Sequence, residues 1–300
     1  MNWLAQPALI ASLVALALYG LGARRRLRLV GAMSPEWRRR SACFLAGVAS
    51  IVFVLGPTFD RWADELLWAH MLQHVVLMSF APPLIVLGAP WIPVWRGLPL
   101  GLRRPLARFA VGLPGVVRAG FRGLRDPYVV FVLAGVDLAV WHLPAAYDLT
   151  LRSEAVHYTE HALFLAFGLL FWLQVIESPP LHAKVEGLWR AGYTTAGAAA
   201  GWLLALVLAF AQTPLYPAYA AVAHRPGGIS ALADQELAAG VMIGIGGIPF
   251  ALAVFVQIYQ WLDDERPRRR ARRHAPNPSR DQPLRNRLGG AAGAARPKTR

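Results

Sequence analysis

Apolar residues in this chain fall into blocks of roughly 17 to 25, the length that crosses a bilayer as a helix, and short polar or arginine-rich joints separate them. The pattern predicts spans over about Trp3 to Leu21, Ser41 to Val54, residues 66 to 88, Tyr128 to Leu143, Val156 to Ile176, Ala191 to Ala211 and Leu237 to Leu262. A short acidic joint, Asp60 to Glu65, leads into the third span. That span carries Pro82-Pro83, which take two donors out of the helix ladder, leave the Met78 and Ser79 carbonyls without their usual partners and bend the inner half. Between the third and fourth spans the joint from Ala89 to Asp126 is long, and its apolar run from Phe109 to Val117 is too short to cross; it is expected to lie in the membrane interface. Span six is dense in Gly and Ala and span seven carries a Gly240-x-x-x-Gly244 step, both suited to close helix approach, with a kink expected at Pro249. After Asp263 apolar periodicity stops. Residues 264–300 therefore read as a disordered basic tail, and residues 1–263 as one seven-helix transmembrane domain.

Composition sharpens this into an all-α, polytopic membrane protein: 56% of residues are hydrophobic and 16% charged, too apolar for an ordinary soluble domain. The net charge of +14 is no nucleic-acid signature, because the basic residues sit in joints and tail. They alternate instead. One set of joints plus the tail holds 28 of the 31 Lys and Arg, and the opposite set holds only Arg61, Arg152 and Arg225. The positive-inside rule then puts the N-terminus outside and the C-terminus in the cytoplasm, and seven spans satisfy the alternation. The first block has its arginines after it and none before it, the reverse of a cleavable secretory signal, so it is read as a span. A single cysteine, Cys43, excludes a disulfide framework and any Cys-x-x-Cys site.

The chemistry concentrates in Trp68-Ala-His-Met-Leu-Gln-His-Val-Val-Leu-Met78. At about 100° per residue His70, Met71, His74 and Met78 share one arc of the third span. Imidazoles and thioethers inside a membrane are costly without a partner. With the orientation above and about 1.5 Å per residue, His70 and His74, His142 at the end of span four, and His157 and His161 at the start of span five all lie at similar depth on the outer side. Glu160 shares an arc with His157 and His161. Asp60, Asp64, Asp234 and Met242 are further outer-side candidates. Imidazole suits copper, zinc and iron, and thioether sulfur beside it favours copper(I); Glu160 either fixes an imidazole tautomer or binds directly. Two plainer readings compete: intramembrane histidines serve as interhelical hydrogen-bond glue, and methionines more often fill core gaps than bind metal. Asp137 lies about 140° around its helix from His142 and reads as an internal polar contact. His182, His224 and His274 are assigned no role.

In these same residues the chain resembles the CtaG family of cytochrome c oxidase assembly factors. The resemblance is carried by His70-Met-Leu-Gln-His74, Ala81-Pro-Pro-Leu-Ile-Val-Leu-Gly-Ala-Pro90, Trp141-His-Leu-Pro-Ala-Ala-Tyr147, His157-x-x-Glu160-His161 with Gly168-Leu-Leu-Phe-Trp172, Thr213-Pro-Leu-Tyr-Pro-Ala-Tyr219 and Asp234-Gln-Glu-Leu-Ala-Ala-Gly240. It implies a multi-pass protein of the bacterial plasma membrane, not an enzyme, that helps mature a haem-copper oxidase by handling copper for its outer-side centre. The expected ligand is copper rather than haem. The expected partners are oxidase subunits, membrane lipid, a copper donor protein and a second copy of the chain, with no nucleic acid. An unrelated single-anchor family of the same name uses a Cys-x-Cys copper site, which a lone Cys43 rules out here. Two other classes stay open on the residues alone. One is a haem-binding redox protein with axial histidines from spans three and five. The other is a transporter using the His/Glu cluster as an ion relay, although no internal repeat is visible. A retinal-type receptor fails, since no lysine lies in any span.

Overall fold

The computed structural model describes residues 5–274, with side chains through Glu265. Described residues are helical throughout apart from joints and one isolated bridge, Ser178 to Leu181, and none forms a strand. Two compact units result, Met1–Gln257 and Ile258–Arg300.

In the first unit α1 (Pro7–Val30) starts with proline in its first turn, where the missing N–H costs nothing, and stops at Gly31 with φ 79°. It runs past the expected end at Leu21 and through the arginine cluster. A physical reason is visible in α6 (Trp91–Gly97): Arg25 donates to the carbonyls of Gly97 at 3.3 Å and Leu98 at 3.0 Å, a cation on an exposed helix C-terminus. At this crossing a Cβ on Gly22 or Gly97 would run into the other helix's backbone. Next, α2 (Pro35–Val54) is capped by the Ser34 hydroxyl accepting from the Trp37 amide at 3.2 Å. Gly56-Pro57 then bends the chain by 52° into α3 (Pro57–Glu65).

The third expected span consists of α4 (Leu67–Val75), a π-turn (Val76–Phe80) and α5 (Ala81–Gly88), which run on as one segment, Leu67–Gly88. The π-turn is how the helix passes Pro82-Pro83 without breaking. The last available amide, Ala81 N–H, reaches five residues back to the Val76 carbonyl, and the Met78 carbonyl left behind accepts from Trp172 Nε1 at 3.3 Å.

Beyond it, α7 (Leu100–Gly112) and α8 (Gly115–Gly123) bury no residue, with Phe109, Val111, Val116 and Phe121 all exposed. The apolar run in this joint therefore takes no part in the core. Then α9 (Pro127–Trp141), capped by the Asp126 carboxylate, turns by 72° at His142-Leu143-Pro144 into α10 (Pro144–Arg152). Two longer helices follow, α11 (Glu154–Val175) and α12 (Gly187–Phe210), then a short α13 (Pro217–Ala220) in the loop and α14 (Ala231–His274).

Five of these helices are long and apolar enough to cross a membrane, and up to seven spans result if each bent pair is one span. The expected seven is the upper end of that range. Burial ranks the spans: 67% of the most apolar window of Leu67–Gly88 and 56% of that of Glu154–Val175 lie inside the protein, against 17% to 28% for the other three. These two are the axis. They touch where Gly168 of α11 faces α5, and a Cβ there would come within 2.8 Å of the Met78 carbonyl oxygen. The small residues of α12 and α14 are less used: Gly197 packs on Phe171, but nothing lies within 4 Å of a Cβ at Gly240 or Gly244. No break interrupts α14 at Pro249.

In the second unit the described residues continue α14 from Ile258 to His274. The helix thus extends into the segment expected to be unstructured, and residues 275–300 of that tail lie outside the described residues.

Candidate metal centre

The two central helices and the bend after α9 bring the five intramembrane histidines together. All five are buried, with exposures from 0% to 6%. Ring centroids are 4.4 Å apart for His70 and His74, 4.2 Å for His157 and His161, 5.1 Å for His70 and His157, 5.7 Å for His74 and His161, and 5.8 Å for His74 and His142. Among them sits Glu160, fully buried. One donor atom each from His70, His74, Glu160 and His161 lies within 4.8 Å of the other three. Bonds of about 2.1 Å around one ion hold opposite ligands no more than ~4.2 Å apart, so side-chain shifts on the order of an ångström close the tetrad.

Hydrogen bonds at the back of each ring decide what its front can do. His161 Nδ1 meets Gln6 Oε1 at 3.0 Å, while the Gln6 amide donates to Asp60 Oδ1 at 3.3 Å and Gln73 Nε2 approaches the same oxygen at 3.5 Å. A carboxylate oxygen accepts, which fixes the Gln6 amide with its carbonyl toward His161; the proton of His161 therefore sits on Nδ1. His70 Nδ1 lies 3.2 Å from the Tyr219 hydroxyl, whose own hydrogen goes to the Ala63 carbonyl, so Nδ1 of His70 is the donor too. Burial pushes the Tyr219 phenol above its usual range, so this hydroxyl keeps its hydrogen. His142 Nδ1 donates to the Leu138 carbonyl at 2.8 Å. In all three rings Nε2 is left with a bare lone pair, and none of these Nε2 atoms makes a hydrogen bond. Both oxygens of Glu160 also lack one, although His74 Nε2 stands 3.4 Å from Oε1 and His70 Nε2 3.9 Å from Oε2. A buried carboxylate with no donor costs several kcal/mol unless a cation compensates it. Imidazole nitrogens grouped with such a carboxylate are side chains that could hold a metal ion.

The remaining candidates divide. Asp60 holds Gln6, which in turn orients His161. Asp234 accepts from the amides of Leu67 and Trp68 at 2.9 and 3.0 Å, and so caps α4 from another helix. Asp64 lines a surface cavity with Leu151, Ala218 and Tyr219, and Asp137 accepts from Trp141 Nε1 at 2.8 Å. Met71, Met78 and Met242 line, with His74 and His142, a separate cavity adjoining the tetrad. Two residues that orient the ring nitrogens escaped the reading of the sequence. Gln6 stands alone among apolar neighbours at the start of α1, and Tyr219 lies in the loop run already noted for its resemblance.

Uncharacterized proteins of Mycobacterium bovis and Mycobacterium tuberculosis are each 25% identical over 249 residues, covering 82% of this chain and 37% of the relative. A third, from Mycobacterium leprae, is 24% identical over 264 residues, covering 86% of this chain and 39% of its own length. The chain thus spans less than two-fifths of these relatives. No solved structure matches. Residues 17–264, which contain every member of the tetrad, match the cytochrome c oxidase caa3 assembly factors (Caa3_CtaG), and the chain belongs to that family.

Proposed function

We propose that this assembly factor is a non-enzymatic copper carrier of the bacterial plasma membrane, lying with its N-terminus outside, which holds copper at the outer end of its helices and passes it to the copper centre of the oxidase. Copper is cargo here, not a resident cofactor. The observation that carries the reading is the pair of imidazoles whose Nδ1–H groups are tied down by Gln6 and Tyr219, leaving their Nε2 atoms without a hydrogen-bond partner in a cluster that holds the buried Glu160 and His74 within 4.8 Å of them. Nitrogen donors with one carboxylate suit copper. Glu160 supplies the negative charge that a cation needs in a low-dielectric interior. Delivery requires ligand exchange, and a set of single-atom donors drawn from two helices can open one ligand at a time as an oxidase ligand replaces it. Oxidase subunits are the receiving partners, with a copper donor protein upstream.

The test is copper(I) titration of the detergent-purified protein against a competing chelator, for the wild type, His74→Ala, His161→Ala and the double variant. In a shared centre either single change removes most of the affinity for the ion held by the tetrad, and the double change costs far less than the sum of the singles. Strict additivity would sink the shared centre. A Soret band in the purified protein would replace copper by a bis-histidine haem.

A further inference from the structure

The methionines on the histidine stripe do something other than complete the tetrad. A cavity of about 60 Å³ lies beside it, bounded by Met71, His74, Met78, His142 and Met242 among apolar neighbours. Three separate elements supply its soft donors: the α4 span gives Met71, His74 and Met78 at helical spacing, the α9 end gives His142, and α14 gives Met242. Its polar feature is specific. His142 is 6% exposed, its Nδ1–H is committed to the Leu138 carbonyl, and its Nε2 lone pair has no hydrogen-bond partner. Other polar groups in the wall include the His74 ring, with neither nitrogen hydrogen-bonded, and the Ser79 hydroxyl. An acceptor lone pair beside three thioethers, with no carboxylate in the wall, calls for a soft ion of single charge.

We infer that this cavity is a second metal station, selective for copper(I), in which His142 Nε2 and the thioethers of Met71, Met78 and Met242 hold the ion next to the tetrad. This rests on the copper reading above and deepens it. The tetrad alone, with three nitrogens and a carboxylate, takes zinc as readily as copper(I), whereas thioether sulfur discriminates against zinc. His74 lines the cavity and also belongs to the tetrad, so it is the side chain that stands between one station and the other. Movement between them is ligand exchange: bonds from copper to sulfur and His142 break as bonds to His70 and His161 form. The ion stays copper(I), and no electron moves.

Anaerobic copper(I) titration with copper K-edge absorption on the same samples tests the inference. The wild type should bind two ions, with sulfur scattering in the spectrum. Simultaneous Met71→Leu, Met78→Leu and Met242→Leu, swaps that keep volume, should leave one ion with nitrogen and oxygen scattering only. His161→Ala should leave the sulfur-ligated ion. Zinc should fill the tetrad and not displace the second copper. A wild type that binds a single copper without sulfur scattering overturns the second station and leaves the tetrad reading intact, with no dependence on whether a variant folds. One mixed ion lost in both variants overturns it as well. Absence of any copper binding removes both readings.

Discussion

Tyr219 and Gln6 do for this centre what its donors cannot do for themselves. A neutral imidazole carries one proton on either nitrogen, and only the tautomer with a bare Nε2 can bind a metal there. The Tyr219 hydroxyl and the Gln6 carbonyl select that tautomer in His70 and His161. Tyr219→Phe and Gln6→Ala should each weaken copper binding by about 10- to 100-fold while leaving the number of tetrad ions unchanged, as read by chelator competition. Asp60→Asn should act in the same direction through Gln6, since an amide at that position no longer forces the Gln6 carbonyl toward the ring. If Gln6→Ala binds copper like the wild type, the hydrogen bond to His161 is incidental to the metal. That the histidines come together was legible in the sequence, because helix rise along spans of alternating direction puts all five at one level. The residues behind them were not: Gln6 lies 155 positions from its ring and Tyr219 lies 149 from His70, and neither periodicity nor propensity reaches across such separations.

At the scale of elements, most of what the chain needed was placed by proline and by side-chain caps. Pro57 and Pro144 each begin a helix and turn the chain, and the second turn carries His142 to the cluster. The expected spans end at these same points, and the structure shows that a new helix starts at each one at an angle to the last, because a proline at the first turn of a new helix starts it as readily as it stops the old one. Asp234 is the complementary case. As an outer acidic residue it invited a role at the metal. Instead it satisfies the first amides of α4, the helix bearing His70 and His74. Asp234→Ala should cost about 1 to 2 kcal/mol of stability, seen as a lower unfolding temperature in detergent, with copper stoichiometry retained below that temperature. Gly168→Leu should be far more damaging, since the new side chain meets the Met78 carbonyl across the central helix contact, and the yield of folded protein after extraction is the measure.

For the whole molecule, the arginines and the burial pattern speak to different questions. Twenty-eight basic residues against three is an argument about which side faces the cytoplasm, and it needs no fold. A reporter active only outside the cytoplasm, fused after Arg266, should be silent, and one placed in the loop between Thr213 and Glu236 should be active; the reverse would invert the orientation. Burial instead tells which helices form the axis, and here α4–α5 and α11 stand apart from the outer spans. The sequence marked those two as special through their polar residues, which belong inside because lipid cannot host them. It did not reveal that the Gly240 step would find no neighbour, since a small-residue motif records the capacity for close approach and not its use.

The π-turn at Val76–Phe80 can also be viewed as a reading-frame problem. A helix that carries one residue more than its hydrogen-bond ladder accounts for has, in effect, an insertion, and the segment beyond it is aligned to its neighbours only while that insertion remains. Removing one residue there should restore a regular ladder and, at about 3.6 residues per turn and about 1.5 Å per residue, turn everything from Ala81 onward by about 100°. Gly88, where a Cβ would press on Phe44 of α2, and Ile85, which packs beside Gly47 of that helix, would then face elsewhere, while His70 and His74 upstream kept their places. Deletion of Ser79 should therefore separate two properties that substitutions cannot: histidines still in register with α11, on a helix whose second half, α5, no longer fits α2. Protease sensitivity of α5, rising while copper is still bound, is the expected signature.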